Sequence, residues 1–252
     1  MLKDIFSIKN KIVIVTGGGR GIGRNIAISF AKYGAIVYSI DLKYAPDDSK
    51  VLPDNLFQLT VDILDKQSLK KAYKIINDKH SILDVLVNNA GITFPETESD
   101  NYPFDSWEQT LNVNLTGAFN CSQLAFKYMK TNGGGSIINI TSINSELAFP
   151  SNPGYVASKG GLKMLGKALA RDWGEYGIRV NNLGPGYIKT DMTISSYLNE
   201  KTRKKLEERT MLGRWGLIED LIGPCIFLAS DASKYITGQD IYVDGGWLYK
   251  GL

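Results

Sequence analysis

Residues 11–23, KIVIVTGGGRGIG, join a short run of β-branched residues to a glycine-rich turn. The apolar run has the length of a buried strand, and the residues after the turn carry apolar side chains at spacings of three and four, as a helix does. Gly17, Gly21 and Gly23 therefore lie at a strand-to-helix turn, where missing side chains let backbone N–H groups approach a pyrophosphate. Because the helix dipole favours negative charge there, this stretch predicts a dinucleotide-binding turn.

Further apolar runs of similar length recur along the chain and alternate with longer segments of helical periodicity. Parallel strands that are buried on both faces have such uninterrupted apolar sequences. The alternation predicts an α/β fold, a doubly wound (Rossmann) sheet of about seven parallel strands with helices on both faces. No Pro/Ser-rich linker breaks the pattern, so we expect a single domain over residues 1–252. The further strand candidates are AIVYSID, NLFQLTV, LDVLVNN, GSIINIT, RVNNL and DIYVDG.

The composition argues against several classes of protein. The formal net charge is +3, from 29 Lys and Arg and 26 Asp and Glu. The two signs are interspersed, so the sequence offers no long basic run that would bind nucleic acid or a membrane surface. Cys121 and Cys225 form no C-x-x-C pair, which argues against a zinc site, a redox dithiol or a disulfide scaffold. No segment has enough apolar residues to span a bilayer. His80 is the only histidine, so a hydrolase with a Ser-His-Asp relay would have to use it. We expect a cytoplasmic protein that binds a small molecule and no metal.

The segment over residues 187–213 departs from the strand and helix alternation. It follows turn residues, is rich in Lys and Glu, and has weak apolar periodicity. This pattern predicts a mobile lid over a substrate.

Asp41 closes the second predicted strand, about 20 residues beyond the glycine turn, where a carboxylate can bind the ribose hydroxyls of a dinucleotide. The same charge repels a 2′-phosphate, which favours NAD as the cofactor. Arg20 and Lys43 lie close by in sequence and could pair with such a phosphate, so NADP stays open.

Tyr155 and Lys159 are four residues apart at a predicted helix start, so both side chains project from one face. An ammonium close to a phenol stabilises the phenolate, and we expect it to lower the pKa of the phenol from about 10 and make the tyrosine an acid/base. Tyr197 and Lys201 repeat the spacing. The strand that ends with Ser142, at the edge where such sheets bind ligands, precedes Tyr155, whereas Tyr197 has only the predicted lid around it. We therefore expect Tyr197 and Lys201 to be surface residues.

The motifs TGGGRGIG, NNAG, NVNLTG, YVASK, PGYIKT and VDGGW, with Ser142, resemble the short-chain dehydrogenase/reductase family in order and spacing over essentially the whole chain. The resemblance implies hydride transfer between a nicotinamide cofactor and an alcohol or carbonyl. It implies that Tyr155 is the acid/base, that Ser142 hydrogen-bonds the reacting carbonyl, that Lys159 tunes the tyrosine and that Asn114 anchors a proton relay through water.

The same resemblance implies cofactor contacts beyond the glycine turn: the adenine beside residues 62 and 63, the cofactor wall at residues 88–91, and the nicotinamide carboxamide after the sixth strand. One local departure is that Asn182 and Gly184 stand where small apolar residues are usual. The cofactor-binding residues that we expect are Gly17, Arg20, Gly21, Ile22, Gly23, Asp41, Asp62, Ile63, Asn88, Asn89, Ala90, Gly91, Tyr155, Lys159, Pro185, Gly186, Ile188 and Thr190.

The C-terminal third is similar to family members that act on sugars and sugar acids, such as gluconate 5-dehydrogenases. Ser142, Asn144, Asn152 and Tyr155 predict a hydrogen-bonding rim for the substrate, which suits a hydroxyl-rich sugar, sugar acid or polyol. The helical segments near residues 101–129 and 155–175 carry excess apolar surface, which fits the homotetramers usual in the family.

Two alternatives stay open. A 3-oxoacyl-acyl-carrier-protein reductase could use Lys201, Arg203, Lys204 and Lys205 as a basic landing site for an acidic carrier protein. A cofactor-binding sensor or scaffold without catalysis is the alternative from another class, and the intact Ser142, Tyr155 and Lys159 argue against it.

Overall fold

Seven parallel strands form one sheet in the computed structural model, which describes residues 4–44 and 52–250. Every run predicted as a strand is one, so the predicted doubly wound sheet is confirmed. The strands are β1 (Ile12–Thr16), β2 (Ile36–Asp41), β3 (Leu56–Thr60), β4 (Val85–Asn88), β5 (Gly135–Ile140), β6 (Ile178–Pro185) and β7 (Asp240–Val243), and their order across the sheet is β3-β2-β1-β4-β5-β6-β7.

Helices cover the sheet, and some of them begin at a residue whose side chain caps the first turn. Asp65 accepts hydrogen bonds from the backbone N–H groups of Gln67 and Ser68, and Asn152 caps a helix that has Pro153 at its first turn. The helices are α1 (Gly21–Lys32), α2 (Lys66–His80), α3 (Phe104–Leu111), α4 (Ala118–Thr131), α5 (Pro153–Trp173), α6 (Ile194–Leu198), α7 (Glu200–Glu208) and α8 (Ile222–Ala229).

The apolar core lies in two layers, one on each face of the sheet. Successive side chains of a strand point to opposite faces, and β1 follows this rule: Ile14 belongs to the layer with Tyr73 of α2 and Met129 of α4, whereas Val13 belongs to the layer with Phe30 of α1. All five side chains are almost completely buried. Both faces of β1 are therefore covered, as a parallel sheet requires.

A π-helical turn, Asn112–Gly117, interrupts the helix that the sequence predicts over residues 107–130. Such a turn inserts one extra residue and rotates the side chains that follow it. Asn114 lies in this turn and is completely buried. Its side chain bonds Ile92 and Ser158, and these tertiary contacts accompany the local departure from α-helical geometry.

The segment predicted as a lid contains α6 and α7. Asn199 caps α7 by accepting a hydrogen bond from the backbone N–H of Thr202 at 3.0 Å. Tyr197, expected to be a surface residue, is half-buried, and its ring packs edge-on against Trp215 at 5.4 Å. The mobility of the segment stays a prediction.

A row of amide side chains crosses four neighbouring strands beneath α5. Asn88 donates to Asn139 at 2.9 Å, Asn139 donates to Asn182 at 3.0 Å, and Asn182 donates to the Asp240 carboxylate at 2.7 Å. Each pair is in register across the sheet. We call these four residues the amide ladder. It gives Asn182, the departure noted in the sequence, two partners within the sheet.

We predict that Gly166→Ala in α5 destabilises the protein although alanine is the better helix former. A Cβ at Gly166 would lie 2.3 Å from Asn182 Oδ1 and 2.8 Å from Asn139 Nδ2, so the amide ladder must shift, at a cost of about 1–3 kcal/mol. Gly160→Ala is the matched control, because a Cβ there has no neighbour within 4 Å and should stabilise α5 by up to about 1 kcal/mol. Urea unfolding midpoints that move together for the two variants would contradict this account.

Candidate active site

The glycine turn after β1 packs directly on the loop after β4. Asn89 Nδ2 donates to the carbonyl oxygens of Thr16 and Gly17, each at 3.0 Å. A Cβ at Gly17 would lie 2.7 Å from Ala90 Cα, and one at Gly23 would lie 2.2 Å from Asn89 Nδ2. The two predicted cofactor segments therefore meet, and only glycine allows this approach.

The N-terminal end of α1 is open for an anion. Arg20 precedes the helix in an extended conformation and makes no side-chain cap, and the first turn contains no acidic residue. Gly21 has a φ of +55°, and a Cβ there would meet no atom within 4 Å. The uncapped N–H groups of this helix fit the pyrophosphate of a dinucleotide, because they lack intrahelical partners and carry the positive end of the dipole.

Asp41 lies beside this turn at the end of β2, as predicted. Its Oδ2 accepts a hydrogen bond from the backbone N–H of Gly19 at 2.8 Å, and its Oδ1 accepts one from Leu42 at 2.7 Å. Oδ1 also accepts a longer hydrogen bond from Lys43 N at 3.4 Å. An ionised carboxylate has about four acceptor positions, so Oδ2 can still accept a hydroxyl group. The carboxylate is thus held where an adenosine ribose would follow the pyrophosphate.

The other predicted cofactor residues lie after β3 and β6 on the same edge of the sheet. Asp62 Oδ1 accepts a hydrogen bond from Leu64 at 2.8 Å, and Ile63 packs on Gly117, where a Cβ would lie 2.4 Å from Ile63 Cδ1. After β6, the backbone of Gly186 runs close to that of Asp244, since a Cβ at Gly186 would lie 2.7 Å from Asp244 Cα.

Beyond Gly186 the chain is fixed by its own hydrogen bonds. Ile188 is buried and pairs with Gly216 in an isolated parallel bridge. Thr193 Oγ1 donates to the Ile188 carbonyl at 2.5 Å and lies 3.1 Å from Thr190 Oγ1. Thr190 is therefore fixed against Thr193, and its contact with a carboxamide stays a prediction.

The tyrosine and lysine predicted as the acid/base pair lie together on the first turns of α5. Lys159 is buried, its Nζ donates to the Ile140 carbonyl at 2.8 Å, and it lies 5.6 Å from the centre of the Tyr155 ring. Burial lowers the pKa of Lys159 to about 8, because the charged form loses its hydration.

The pKa of Tyr155 differs from the expectation. Burial raises it above the ordinary value for tyrosine, and a hydrogen bond with Ser142 opposes this rise. The Lys159 ammonium donates to the Ile140 carbonyl and is not among the causes that change the pKa of Tyr155. In the protein alone, Tyr155 therefore keeps its proton more strongly than a free phenol does.

Ser142 both caps a turn and contacts Tyr155. Its Oγ accepts a hydrogen bond from the backbone N–H of Asn144 at 3.1 Å and donates one to Asn144 Oδ1 at 3.2 Å. A hydroxyl has only one proton, and that of Ser142 is directed to Asn144 Oδ1. The predicted substrate residue Asn144 thus lies next to Ser142 and helps to orient its hydroxyl.

Asn114 joins the loop after β4 to α5. Its Oδ1 accepts a hydrogen bond from Ile92 N at 2.8 Å, and its Nδ2 donates to the Ile92 carbonyl and to Ser158 Oγ, each at 3.0 Å. Ser158 precedes Lys159, so the structure brings Asn114 to the predicted catalytic residues. Both N–H groups of the amide are used in these bonds, Oδ1 keeps one acceptor position, and the part of Asn114 in a proton relay stays a prediction.

Asn152 has a structural role that the sequence did not indicate. Its Oδ1 accepts hydrogen bonds from Tyr155 N and Tyr102 Oη, each at 3.3 Å, and its Nδ2 donates to Thr93 Oγ1 at 2.7 Å. These bonds fix the first turn of α5 and hence the backbone of Tyr155. Contact between Asn152 and a substrate stays a prediction.

Sequence reasoning missed an aromatic wall formed by Phe149, Tyr187 and Trp247. The Trp247 ring stacks on Phe149 at 5.3 Å and lies 5.8 Å from Tyr187, while the Arg209 guanidinium lies 4.6 Å above Trp247. These residues come from three distant segments, so no local pattern reveals the contact. Tyr187 and Trp247 do stand within the PGYIKT and VDGGW motifs, and Phe149 precedes YVASK, which was the available signal.

The structure was searched for a metal site and for a membrane-spanning helix in its described residues. Within residues 4–44 and 52–250, no cluster of His, Cys, Asp or Glu could hold a metal ion, and no helix is long and apolar enough to cross a membrane. Cys121 and Cys225 are free and buried.

Comparison with known proteins covers nearly the whole chain. A family model described as enoyl-(acyl carrier protein) reductase matches residues 17–248. The chain is 38% identical over 251 residues to the 2-dehydro-3-deoxy-D-gluconate 5-dehydrogenase of Bacillus subtilis, with 98% of each chain covered. It is 36% identical over 244 residues to the 3-oxoacyl-(acyl-carrier-protein) reductase of Thermotoga maritima, with 95% of this chain and 98% of that protein covered.

Among solved structures, the chain is similar to a gluconate 5-dehydrogenase from Burkholderia cenocepacia in complex with NADP and tartrate. The TM-score is 0.88, the sequence identity is 34%, and 97% of each chain is covered.

We predict that Lys159 makes stability depend on pH between about 8 and 10.5. Its folded pKa of about 8 lies below the ordinary 10.5, so in that window the unfolded chain binds more protons and stability rises with pH. Wild-type urea midpoints should therefore rise relative to those of Lys159→Met as the pH rises. Lys201→Met, which alters an exposed side chain, should follow the wild type. A gap between wild type and Lys159→Met that stays constant with pH would contradict the buried-ammonium account.

Proposed function

This chain belongs to the short-chain dehydrogenase/reductase family, and from that premise we propose that it interconverts an alcohol and a carbonyl on a sugar acid, sugar or polyol. The observation that carries the proposal is the meeting of Ser142, Tyr155 and Lys159 at the sheet edge that also bears the glycine turn. A bound nicotinamide dinucleotide supplies or accepts the hydride.

In the proposed mechanism, Tyr155 Oη gives its proton to the substrate carbonyl oxygen during reduction and takes it back during oxidation. Ser142 Oγ donates a hydrogen bond to the same oxygen and keeps it within reach of Tyr155. Lys159 stabilises the phenolate that forms when Tyr155 has lost its proton.

The substrate class is supported by the relatives and by the polar rim. The Bacillus relative is named for a deoxygluconate, and the Burkholderia structure is that of a gluconate dehydrogenase. Ser142 and Asn144 offer hydroxyl and amide groups beside Tyr155, which suit a ligand rich in hydroxyl groups.

A 3-oxoacyl-acyl-carrier-protein reductase is the second candidate, and the Thermotoga relative favours it. Ion pairs within α7 weaken the proposed landing site for a carrier protein. Lys204 Nζ lies 2.8 Å from Glu200 Oε1, and Arg203 Nε lies 3.8 Å from Glu207 Oε1. These acidic neighbours offset the positive charge that an acidic carrier would need.

We propose NAD as the preferred cofactor, with NADP as the alternative. The Asp41 carboxylate beside Gly19 favours ribose hydroxyls over a 2′-phosphate, whereas the Burkholderia relative was solved with NADP. Arg20 is exposed next to the turn and is the side chain that a 2′-phosphate would use.

We further propose a homo-oligomer in the cytoplasm, built from one domain per chain with residues 187–213 as a lid. An apolar groove of about 570 Å³ lies between α4 and α5, with Phe119 and Met164 exposed along it, and a second copy would cover it. In the described ranges β7 pairs only with β6, so its free edge offers the second contact that a tetramer needs.

We predict that Tyr155→Phe lowers kcat by about 100- to 10,000-fold, the usual worth of a general acid/base. The assay follows the reduced cofactor with a panel of sugar acids, sugars, polyols and an acetoacetyl thioester. Tyr197→Phe is the control, because Tyr197 and Lys201 repeat the spacing outside the site, and it should retain activity. Full activity of Tyr155→Phe would overturn the mechanism. Turnover of the thioester alone would favour the second candidate, and cofactor binding without turnover of any compound would favour a catalytically silent scaffold.

We predict that Asp41→Ser raises the ratio of kcat/KM for NADP to that for NAD by more than about tenfold, because it removes a charge that repels the 2′-phosphate. The control is Asp78→Ser on the exposed side of α2, where Asp78 pairs with Lys74. Initial rates with both cofactors measure the ratio. A wild-type protein that uses NADP better than NAD would refute the proposed preference.

A further inference from the structure

The loop between β5 and α5 carries Ser142, and its shape depends on Ser145. Ser145 Oγ donates to the Ser142 carbonyl at 2.5 Å, within a short helical turn, Ile143–Ser145. Any group that holds Ser145 therefore also acts on the backbone of Ser142.

Tyr242, on the edge strand β7, reaches this loop from the neighbouring side. Its hydroxyl lies 3.2 Å from Ser145 Oγ and donates to Glu146 Oε1 at 2.7 Å. The pKa of Tyr242 is raised well above the usual range by burial and by the Glu146 charge, so the hydroxyl keeps its proton for these contacts. Tyr242 therefore donates to Glu146 and lies in contact with Ser145, whose own proton goes to the Ser142 carbonyl.

The Tyr242 ring has its place because residue 184 is glycine. Gly184 and Tyr242 are paired in register on β6 and β7, and a Cβ at Gly184 would lie 2.4 Å from two carbons of the ring. Gly184 is one of the two departures noted in the sequence. Its physical effect is to let an aromatic ring lie across the end of the sheet towards the Ser142 loop.

Glu146, the acceptor for Tyr242, is fixed in turn by α5. Lys163 forms an ion pair with Glu146, which together with Tyr242 lowers the pKa of that carboxyl. Asp240, the last member of the amide ladder, lies 2.7 Å from Lys167 and 3.8 Å from Lys163. The loop is therefore connected through charged groups to the amide ladder and to Asn88 at the cofactor wall.

We propose that Tyr242, acting through Ser145 and Glu146, is a positioning residue that fixes the Ser142 hydroxyl for the substrate carbonyl. This inference rests on the proposed function, because the positioned hydroxyl matters only if Ser142 meets a carbonyl. Loss of the Tyr242 hydroxyl leaves the ring packed but removes its contacts with Ser145 and Glu146, which weakens the hold on the loop. A misplacement of reacting groups by a fraction of an ångström to an ångström costs up to about 100-fold in rate.

The test compares Tyr242→Phe with Gly184→Ala, which displaces the ring, and with the double variant. Both single variants should lower kcat by about 10- to 100-fold with little change in the KM for the cofactor, and the double variant should be no worse than the worse single one. Tyr235→Phe is the control, since Tyr235 is fully exposed and should leave kcat unchanged.

Hydrogen exchange over residues 141–152 provides a readout that needs no substrate. Tyr242→Phe should speed exchange there and leave β1 to β4 unchanged. Faster exchange with an unchanged kcat would show a purely structural contact, and unchanged exchange would show that Tyr242 does not hold the loop; either result overturns the inference. If the wild-type protein turns over no compound of the panel, the proposed function fails, and the positioning of Ser142 for a carbonyl fails with it. The exchange data still report in that case whether Tyr242 holds the loop.

Discussion

The parallel register of the sheet is the constraint on which the rest of the structure depends. Because all seven strands run the same way, their carboxyl ends meet at one edge, and the glycine turn, Asp41, Asn88 and Ser142 all follow strand ends there. The amide ladder helps to fix that register across β4 to β7, since a slip of one residue would separate the paired amides and turn each side chain to the other face. The same ladder ends at Asp240, next to Lys163 of α5, which also forms an ion pair with Glu146. The register that aligns the strands therefore also positions the reacting groups.

Burial then acts on the acid/base pair in two directions. It raises the pKa of the Tyr155 phenol and lowers the pKa of the Lys159 ammonium to about 8, so the protein alone disfavours a phenolate and ammonium pair. A protonated phenol is the state that the proposed reduction requires at its start. The hydrogen bond with Ser142 opposes the rise. Ser142 Oγ also donates to Asn144 Oδ1, so Asn144 helps to orient the hydroxyl that is proposed to meet the substrate oxygen.

Local sequence predicted the seven strands and the glycine turn because their signals are local: continuous apolar runs, and glycines where a strand meets a helix. It also selected Ser142, Tyr155 and Lys159, which the structure brings together. It did not predict the π-helical turn around Asn114, whose causes are contacts with Ile92 and Ser158 from other segments. The amide ladder and the Tyr242 contacts needed the exact register of β4 to β7, and the aromatic wall needed three distant segments to fold together. The direction of the Tyr155 pKa change depended on burial and on where the Lys159 ammonium points, which spacing alone does not contain.

The most direct test of the central claim, hydride transfer at this edge of the sheet, is to follow the transferred atom itself. The wild-type protein is incubated with NAD or NADP and with the best substrate of the panel carrying deuterium on its carbinol carbon, and the reduced cofactor is analysed by mass spectrometry. The account predicts one deuterium in each molecule of reduced cofactor. Reduced cofactor without deuterium, or no reduction with any alcohol of the panel, would contradict it.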